Sequence, residues 1–331
     1  MKRRNFLKSF GGIMLMSQMP SAVYAKSHDC EGGKECGKVE LAEINQIIIP
    51  VGATEPFSAL HLTDTHITRA DERDDERKRE LARNRRNAFP DAEKYFEAAL
   101  DYARENDLVV LHTGDMIDFV TDANLEYVKE KTAGLNCFFS AGNHEYSQYV
   151  GEAKEDEAYK AQNYDRVQAA YPNNLRFASR VINGVNFVAV DDVYYNFTKE
   201  HKELMKKEFD KGLPVVMMCH VPLYTPEAYA IEMYKTNGTC AYVTGAPLEL
   251  TETYQCDPTL PAEEQWRNRS VQQRSDKPTL DFIKWLKKQP LLKAILCGHN
   301  HIFYQGTFSM TAMQHMAGCT YDGKATEILF I

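Results

Sequence analysis

Phe57-Ser58-Ala59-Leu60-His61-Leu62-Thr63-Asp64-Thr65-His66 is an apolar run that stops at two side chains of the metal-binding type. Its length and its Phe, Ala and Leu content suit a strand buried inside a sheet better than a helix. Asp64 and His66 stand two apart, so on extended chain both project to one side of the strand end. The pattern then repeats. Leu108–His112 runs into Gly114-Asp115, and Asn136–Ser140 into Gly142-Asn143-His144-Glu145. Val215–Cys219 meets His220, and Ala294–Cys297 meets Gly298-His299-Asn300-His301. The glycines before Asp115, Asn143 and His299 permit the sharp turns that bring ligands close to an ion. In open α/β sheets, the loops past the carboxyl ends of strands are where sites assemble.

Working outward, Val185–Val190, Ile302–Phe308 and Glu327–Ile331 read as further strands. Ala92–Arg104, with Phe96, Leu100 and Ala103 at helical spacing, and Glu200–Phe209 read as amphipathic helices. Such alternation predicts an α/β fold with helices packed outside the sheets. Residues 26–55 form a loose lead-in in which Ile47–Val51 makes an edge strand; the main domain spans 56–331. Two stretches break the rhythm. Arg69–Arg86 is dense in charge of both signs and reads as a solvated helix; because it follows a ligand loop, its alternative is an arm whose arginines reach the site's rim. Residues 224–276 form a polar, loop-like insertion of the kind that serves as a lid or specificity loop.

Formal net charge is −8. Residues 1–25 carry Lys2, Arg3, Arg4 and Lys8 and no acid, which leaves 35 basic against 47 acidic residues in the remainder. A body that acidic excludes general nucleic-acid binding, which needs basic surface. The same 25 residues read as a signal peptide: a basic start, the moderately apolar Phe10–Met19, and a small-residue exit before cleavage after Ala25. The apolar run is far short of the ~20 residues of a spanning helix, so no transmembrane span is expected in the mature chain. Export to the periplasm or outside the cell is the expectation. Among the eight cysteines, Cys30 with Cys36 and Cys240 with Cys256 are candidate disulfides, while Cys137, Cys219 and Cys297 read as buried thiols. His61 and His112 lie inside strand candidates and read as core or supporting residues.

Taken singly, an Asp-x-His or a Gly-Asp is weak evidence. The ordered set Asp64-x-His66, Gly114-Asp115, Gly142-Asn143-His144-Glu145, His220 and Gly298-His299-Asn300-His301 resembles the calcineurin-like metallophosphoesterase superfamily, over roughly residues 57–308. Lys2–Lys8 likewise resembles a twin-arginine export signal, with Lys2 where Ser or Thr is usual. The superfamily resemblance implies a four-layer α/β/β/α sandwich of two mixed sheets. It implies two divalent metal ions: Asp64, His66, Asp115 and His301 for one, and Asp115, Asn143, His220 and His299 for the other. Asp115 would bridge them, and His144 would face the leaving group from outside the ligand set. Mixed nitrogen and oxygen ligands suit Mn, Fe, Zn or Co alike. Purple acid phosphatases carry Tyr three positions after the bridging Asp, and Asp118 stands there, which argues against that branch.

Two divalent ions about 3.5–4 Å apart need an anionic bridge, and together they clamp both the attacking and the departing oxygen. The implied reaction is hydrolysis of a phosphate ester by in-line attack of a metal-bound hydroxide, with His144 assisting the departing oxygen. A small phosphomonoester is the favoured substrate. The alternatives are a phosphodiesterase acting on nucleotides or lipid head groups, and a non-catalytic ligand-binding relative. The latter predicts a lost ligand, and none is lost. A structural zinc protein predicts closed Cys-rich sites, and no C-x-x-C occurs.

Overall fold

The computed structural model describes residues 39–150, 157–254 and 273–331. In chain order the strands are β1 Glu43–Ile49, β2 Phe57–Leu62, β3 Val109–His112, β4 Cys137–Phe139, β5 Phe177–Ile182, β6 Val185–Val190, β7 Val215–Met218, β8 Leu292–Cys297, β9 Tyr304–Thr307, β10 Met313–Met316 and β11 Lys324–Phe330. They form two mixed sheets, in the orders β1-β11-β2-β3-β4 and β5-β6-β7-β8-β10-β9. The strands that carry the motifs run parallel: β2 with β3 and β4, and β6 with β7 and β8. All their carboxyl ends therefore point the same way within each sheet. The helices are α1 Glu76–Ala88, α2 Ala92–Glu105, α3 Asp122–Thr132, α4 Glu157–Gln168, α5 Lys199–Phe209, α6 Pro226–Lys235 and α7 Lys277–Leu286.

Side-chain alternation along each strand explains the layering. Phe57 and Ala59 point inward and pack with Phe187, Ala189, Val216 and Met218 of the other sheet. Leu60 and Leu62 point outward onto Phe96 and Leu100 of α2. On the second sheet, Val188, Val190 and Met217 pack outward onto Met205 and Phe209 of α5 and Phe282 and Leu286 of α7. Strands buried on both faces read as unbroken apolar runs, which is why the motif strands were so legible. The result is the α/β/β/α sandwich. Phe57, Phe187 and Phe330 pin the sheets together, with ring centroids 5.1 to 6.0 Å apart. Each such buried ring contributes about 1.5–3 kcal/mol.

Three expectations change. The edge strand expected at Ile47–Val51 is present but starts earlier: β1 pairs in parallel with β11 from Glu43 to Ile49. The insertion is not merely loop, because α6 and a helical turn at Leu248–Thr251 lie in it. There Ala228, Cys240, Ala241, Val243, Ala246 and Tyr254 make a small core of their own. Strands β5 and β10 have no unbroken apolar run to announce them, since β5 is a half-exposed edge and β10 carries Gln314 and His315. Gln314 is buried at no cost in unmade bonds: its amide takes the Leu223 N–H at 2.8 Å and donates to the Leu223 carbonyl at 3.1 Å. Cys137, Cys219 and Cys297 are buried free thiols. The expected signal peptide, residues 1–25, and Cys30, Cys36 and Cys256 lie outside the described residues.

Candidate metal centre

All eight candidate site residues gather where the two sheets' carboxyl edges meet. Asp64, His66 and His301 form one group of converging ligand atoms, and Asp115, His220 and His299 form a second. In the first, His301 Nε2 lies 3.2 Å from Asp64 Oδ1 and 3.4 Å from His66 Nε2. In the second, His220 Nε2 lies 3.0 Å from Asp115 Oδ2 and 3.2 Å from His299 Nδ1. Asp115 joins the groups, because the same Oδ2 is 3.9 Å from His66 Nε2. Its other oxygen accepts the His144 backbone N–H at 2.8 Å. Asn143 opens a 3₁₀ turn, Asn143–Tyr146, beside that contact. His144 Nε2 also approaches Asp115 Oδ2, at 3.9 Å.

The local chain is bent to make this possible. Asp64, His66, Asp115, His299 and His301 all adopt positive φ, between +51° and +67°. Gly142 and Gly298 are required by close approach. A methyl group on Gly142 would land on Asp115 Oδ1, and one on Gly298 on Thr63 Oγ1 and Asp64 Oδ2. Glycine is the one residue that leaves room there.

Whether a cation fits can be tested on the donors themselves. Asn143 Oδ1 is buried and has no hydrogen-bond partner, and Asp64 Oδ1, equally buried, makes no well-directed hydrogen bond and has only the 3.2 Å approach of His301 Nε2. A buried polar atom left so costs about 1–3 kcal/mol, a cost that a coordinated cation removes. Burial opposes ionisation of Asp64 and Asp115, yet His301 beside the first and His220 with His144 beside the second hold both well below the usual carboxylate range. Burial likewise opposes charge on His66 and His220. The carboxylates of Asp118 and Asp64 lift His66 to about 10, and Asp115 lifts His220 to about 10. Buried carboxylates thus demand positive charge, and histidine protons meet the demand. Protons and cations compete for such a site. The donor set of carboxylate, amide and imidazole is the one that suits divalent transition ions.

The surroundings orient the donors. Asp118, three residues past Asp115, has Oδ1 2.9 Å from His66 Nδ1 and 3.2 Å from His144 Nδ1. His144 Nδ1 is also 2.8 Å from the Asp118 carbonyl. Tyr321 OH lies 3.0 Å from His301 Nδ1, and Tyr195 OH 2.8 Å from His299 Nε2. Each of those imidazoles therefore turns its other nitrogen to the centre. Glu145 neither orients the His144 ring nor faces solvent. It is fully buried and accepts the backbone N–H groups of Asp115, Met116 and Gly142 at 2.9, 2.8 and 2.6 Å. His112 and His61 are buried, neutral and bonded to Thr65 and Thr113; burial lowers each to about 3. They support the loops and lie outside both ligand groups.

Two facing mixed sheets inside helical layers, with Asp, His and Asn gathered at their carboxyl edges, define the metallophosphoesterase class. A family model of the calcineurin-like phosphoesterases matches residues 57–303. The chain belongs to that family and is a hydrolase. Among solved structures, a dimetal phosphatase from Danio rerio aligns with TM-score 0.47 and 12% identity over 82% of this chain and 89% of that one. The phosphopantetheinyl hydrolase of Mycobacterium tuberculosis aligns with TM-score 0.37 and 11% identity over 84% and 91%. A 5′-nucleotidase from Candida albicans gives TM-score 0.35 and 13% identity over 86% of this chain and 47% of that one. Compared with curated protein sequences, the chain has no match.

Proposed function

We propose that the chain is a phosphomonoesterase that uses two divalent cations, one held by Asp64, His66, Asp115 and His301 and the other by Asp115, Asn143, His220 and His299. The observation that carries this reading is Asp115 Oδ2, which reaches His220 at 3.0 Å in one group and His66 at 3.9 Å in the other. Bound there, the cations supply Lewis-acid charge and an activated water. With Asp64 and Asp115 as the carboxylates of the set, two divalent cations leave the centre positive, which suits the dianion of a monoester despite the acidic body. His144 binds its proton at Nε2 for the departing oxygen, because Nδ1 is engaged by the Asp118 carbonyl at 2.8 Å. Burial opposes charge on His144, and the Asp115 carboxylate at 3.9 Å together with Asp118 raises it against that effect.

Substrate choice falls to residues 224–276, whose helix α6 reaches the site loop through Lys235 and the Asn300 carbonyl. Among the described residues no helix is long and apolar enough to cross a membrane. The order of charge and apolarity in residues 1–25 supports an exported protein, in the periplasm or outside the cell. The test is a panel of chelator-treated protein reloaded with Mn, Fe, Zn or Co on mono- and bis-(4-nitrophenyl) phosphate. The expected result is metal-dependent turnover that favours the monoester, and loss of both cations in Asp115→Asn by elemental analysis. Preference for the diester replaces the monoesterase reading with the phosphodiesterase one. Tight metal binding without turnover of either ester supports the ligand-binding relative instead.

A further inference from the structure

Helix α1 is an odd neighbour for a catalytic centre. Of its thirteen residues only Ala82 is buried, so it has no apolar stripe to hold it. Asp75 caps its first turn by accepting the Lys78 N–H at 2.7 Å, and Glu76 pairs with Arg79 at 2.8 Å and Arg83 at 2.9 Å. Three basic side chains tie the helix to the loops of the centre instead. Lys78 Nζ donates to the Val120 carbonyl and Arg86 to the Thr68 carbonyl, both at 3.1 Å. Arg85 makes the strongest tie, a fork onto Asp118: Nε to Oδ2 at 2.6 Å and Nη2 to Oδ1 at 2.9 Å.

Asp118 is fully buried, and its Oδ1 is the atom that faces both His66 Nδ1 and His144 Nδ1. The Arg85 guanidinium lies 4.7 Å from the Phe89 ring centroid, and Phe89 stacks on His66 at 4.9 Å. The fork is thus braced by the ligand's own aromatic neighbour. A carboxylate gripped at one oxygen can turn about its last bond, whereas a guanidinium bonded to both oxygens fixes its plane.

We propose that Arg85 is a positioning residue for His144, acting through Asp118. This inference rests on the phosphoesterase reading above. The step it serves is hydrolysis at phosphorus: a water oxygen bonds to phosphorus and gives up a proton to solvent, the ester phosphorus–oxygen bond breaks with its pair on the leaving oxygen, that oxygen takes the proton from His144 Nε2, and solvent later returns a proton to His144. A misplaced His144 harms esters whose leaving group must be protonated, and spares those whose leaving group departs as a stable anion. Arg85 therefore sets how steeply rate depends on leaving-group basicity. It reaches the chemistry from a helix that the apolar core barely holds.

The experiment compares metal-loaded wild type, Arg85→Ala and Arg85→Lys on phenyl phosphate and on 2,4-dinitrophenyl phosphate, with bound metal measured on each protein. The expected kcat on phenyl phosphate falls about 10- to 100-fold in Arg85→Ala, part of the 10²–10⁴ that a general acid supplies. On the dinitrophenyl ester the fall is under about 3-fold by the same reasoning, because that departure needs no proton. KM and metal content hold in both, and added guanidinium restores part of the phenyl phosphate rate. Arg85→Lys keeps the charge but not the fork and shows the same selectivity in smaller measure, which keeps the test open if the alanine variant does not fold. Equal losses on the two esters, no loss on either, or a loss that follows missing metal overturns the inference alone. An inert wild type overturns it together with the phosphoesterase reading.

Discussion

Glu145→Ala removes one acceptor that four buried backbone N–H groups share, Ile117 at 3.4 Å and three others at 2.9 Å or less. In the native chain the carboxylate takes Met116 N–H on Oε1 at 2.8 Å, and Asp115 and Gly142 N–H on Oε2 at 2.9 and 2.6 Å. The Tyr171 phenol donates to Oε1 at 3.0 Å. Alanine leaves the four amides without that partner in a pocket where Glu145 has no exposed surface. Each abandoned group costs about 1–3 kcal/mol. Water entering the emptied space meets part of the need, so a loss of about 3–5 kcal/mol is expected. At about 2 °C per kcal/mol for a domain of this size, the thermal midpoint falls by about 6–10 °C. Glu145→Gln keeps one acceptor oxygen and turns an amide N–H toward the other donors, so its loss lies between wild type and alanine. The assay is thermal unfolding by circular dichroism in chelator, which removes the cation's own contribution. A midpoint within about 2 °C of wild type for the alanine variant would show that Glu145 does not hold the Asp115 loop.

Three further outcomes follow from the geometry of the centre. His144→Ala lowers kcat by about 10²–10⁴ with both cations retained; unchanged turnover, or lost metal in elemental analysis, contradicts its place outside the ligand set. Tyr321→Phe and Tyr195→Phe each strip a hydroxyl from the outer nitrogen of a candidate ligand, and chelator competition is expected to show about 10- to 100-fold weaker cation binding; wild-type affinity in both variants counts against that role. In chelator, His66 and His220 have folded values of about 10 against an ordinary 6.5, so their stabilising contribution is complete below about pH 6.5 and is lost as pH rises toward 10. Asp64 and Asp115 are held below the ordinary 3.8, so their contribution is present above that pH and is lost on acidification. The ion-free midpoint is therefore expected to peak at about pH 5–6, and a midpoint that climbs steadily from pH 6 to 9 refutes the assignment. Because the same histidine protons leave when a cation enters, cation affinity rises over the interval in which the ion-free protein weakens.

The fold was legible where strands are buried on both faces, because Phe57–Leu62 or Val185–Val190 can be neither helix nor loop at that length. It was hidden where a strand has one wet face, as in β5, or where buried polar side chains such as Gln314 are satisfied by backbone. Residues 224–254 read as loop because a small satellite core needs few apolar residues, and α6 buries little besides Ala228 and Glu232. At the site, the candidate ligands stood out because Asp, His and Asn recur where apolar runs stop. Their outer partners did not. In sequence Asp118 is marked only by standing where purple acid phosphatases have tyrosine, and its contacts with His66, His144 and Arg85 bridge separations of 52, 26 and 33 positions. Glu145 could have been found by one signal: an acid three residues past a turn glycine is placed to fold back on that glycine's N–H, the logic of a capping box.

The positive φ values carry a consequence beyond local shape. Five candidate ligands each hold a conformation that costs a non-glycine residue about 1–2 kcal/mol, so something outside each loop must enforce it. The enforcing bonds run between loops. Asp64 N–H donates to the Gly114 carbonyl at 3.0 Å, and the Thr65 and His66 N–H groups donate to the Asp115 carbonyl at 2.8 and 3.0 Å. His299 N–H, from the second sheet, donates to Asp64 Oδ2 of the first at 2.9 Å. His220 Nδ1 lies 2.7 Å from the Thr113 carbonyl, again across the sheets. The bonds from His299 to Asp64 and from His220 to the Thr113 carbonyl tie the ligand loops of one sheet to those of the other. Cations that bind this assembled geometry and not the unfolded chain stabilise the fold by mass action, about 2.7 kcal/mol at a hundredfold excess over Kd. A cation held across this tie between the sheets would therefore add to what keeps the sandwich closed.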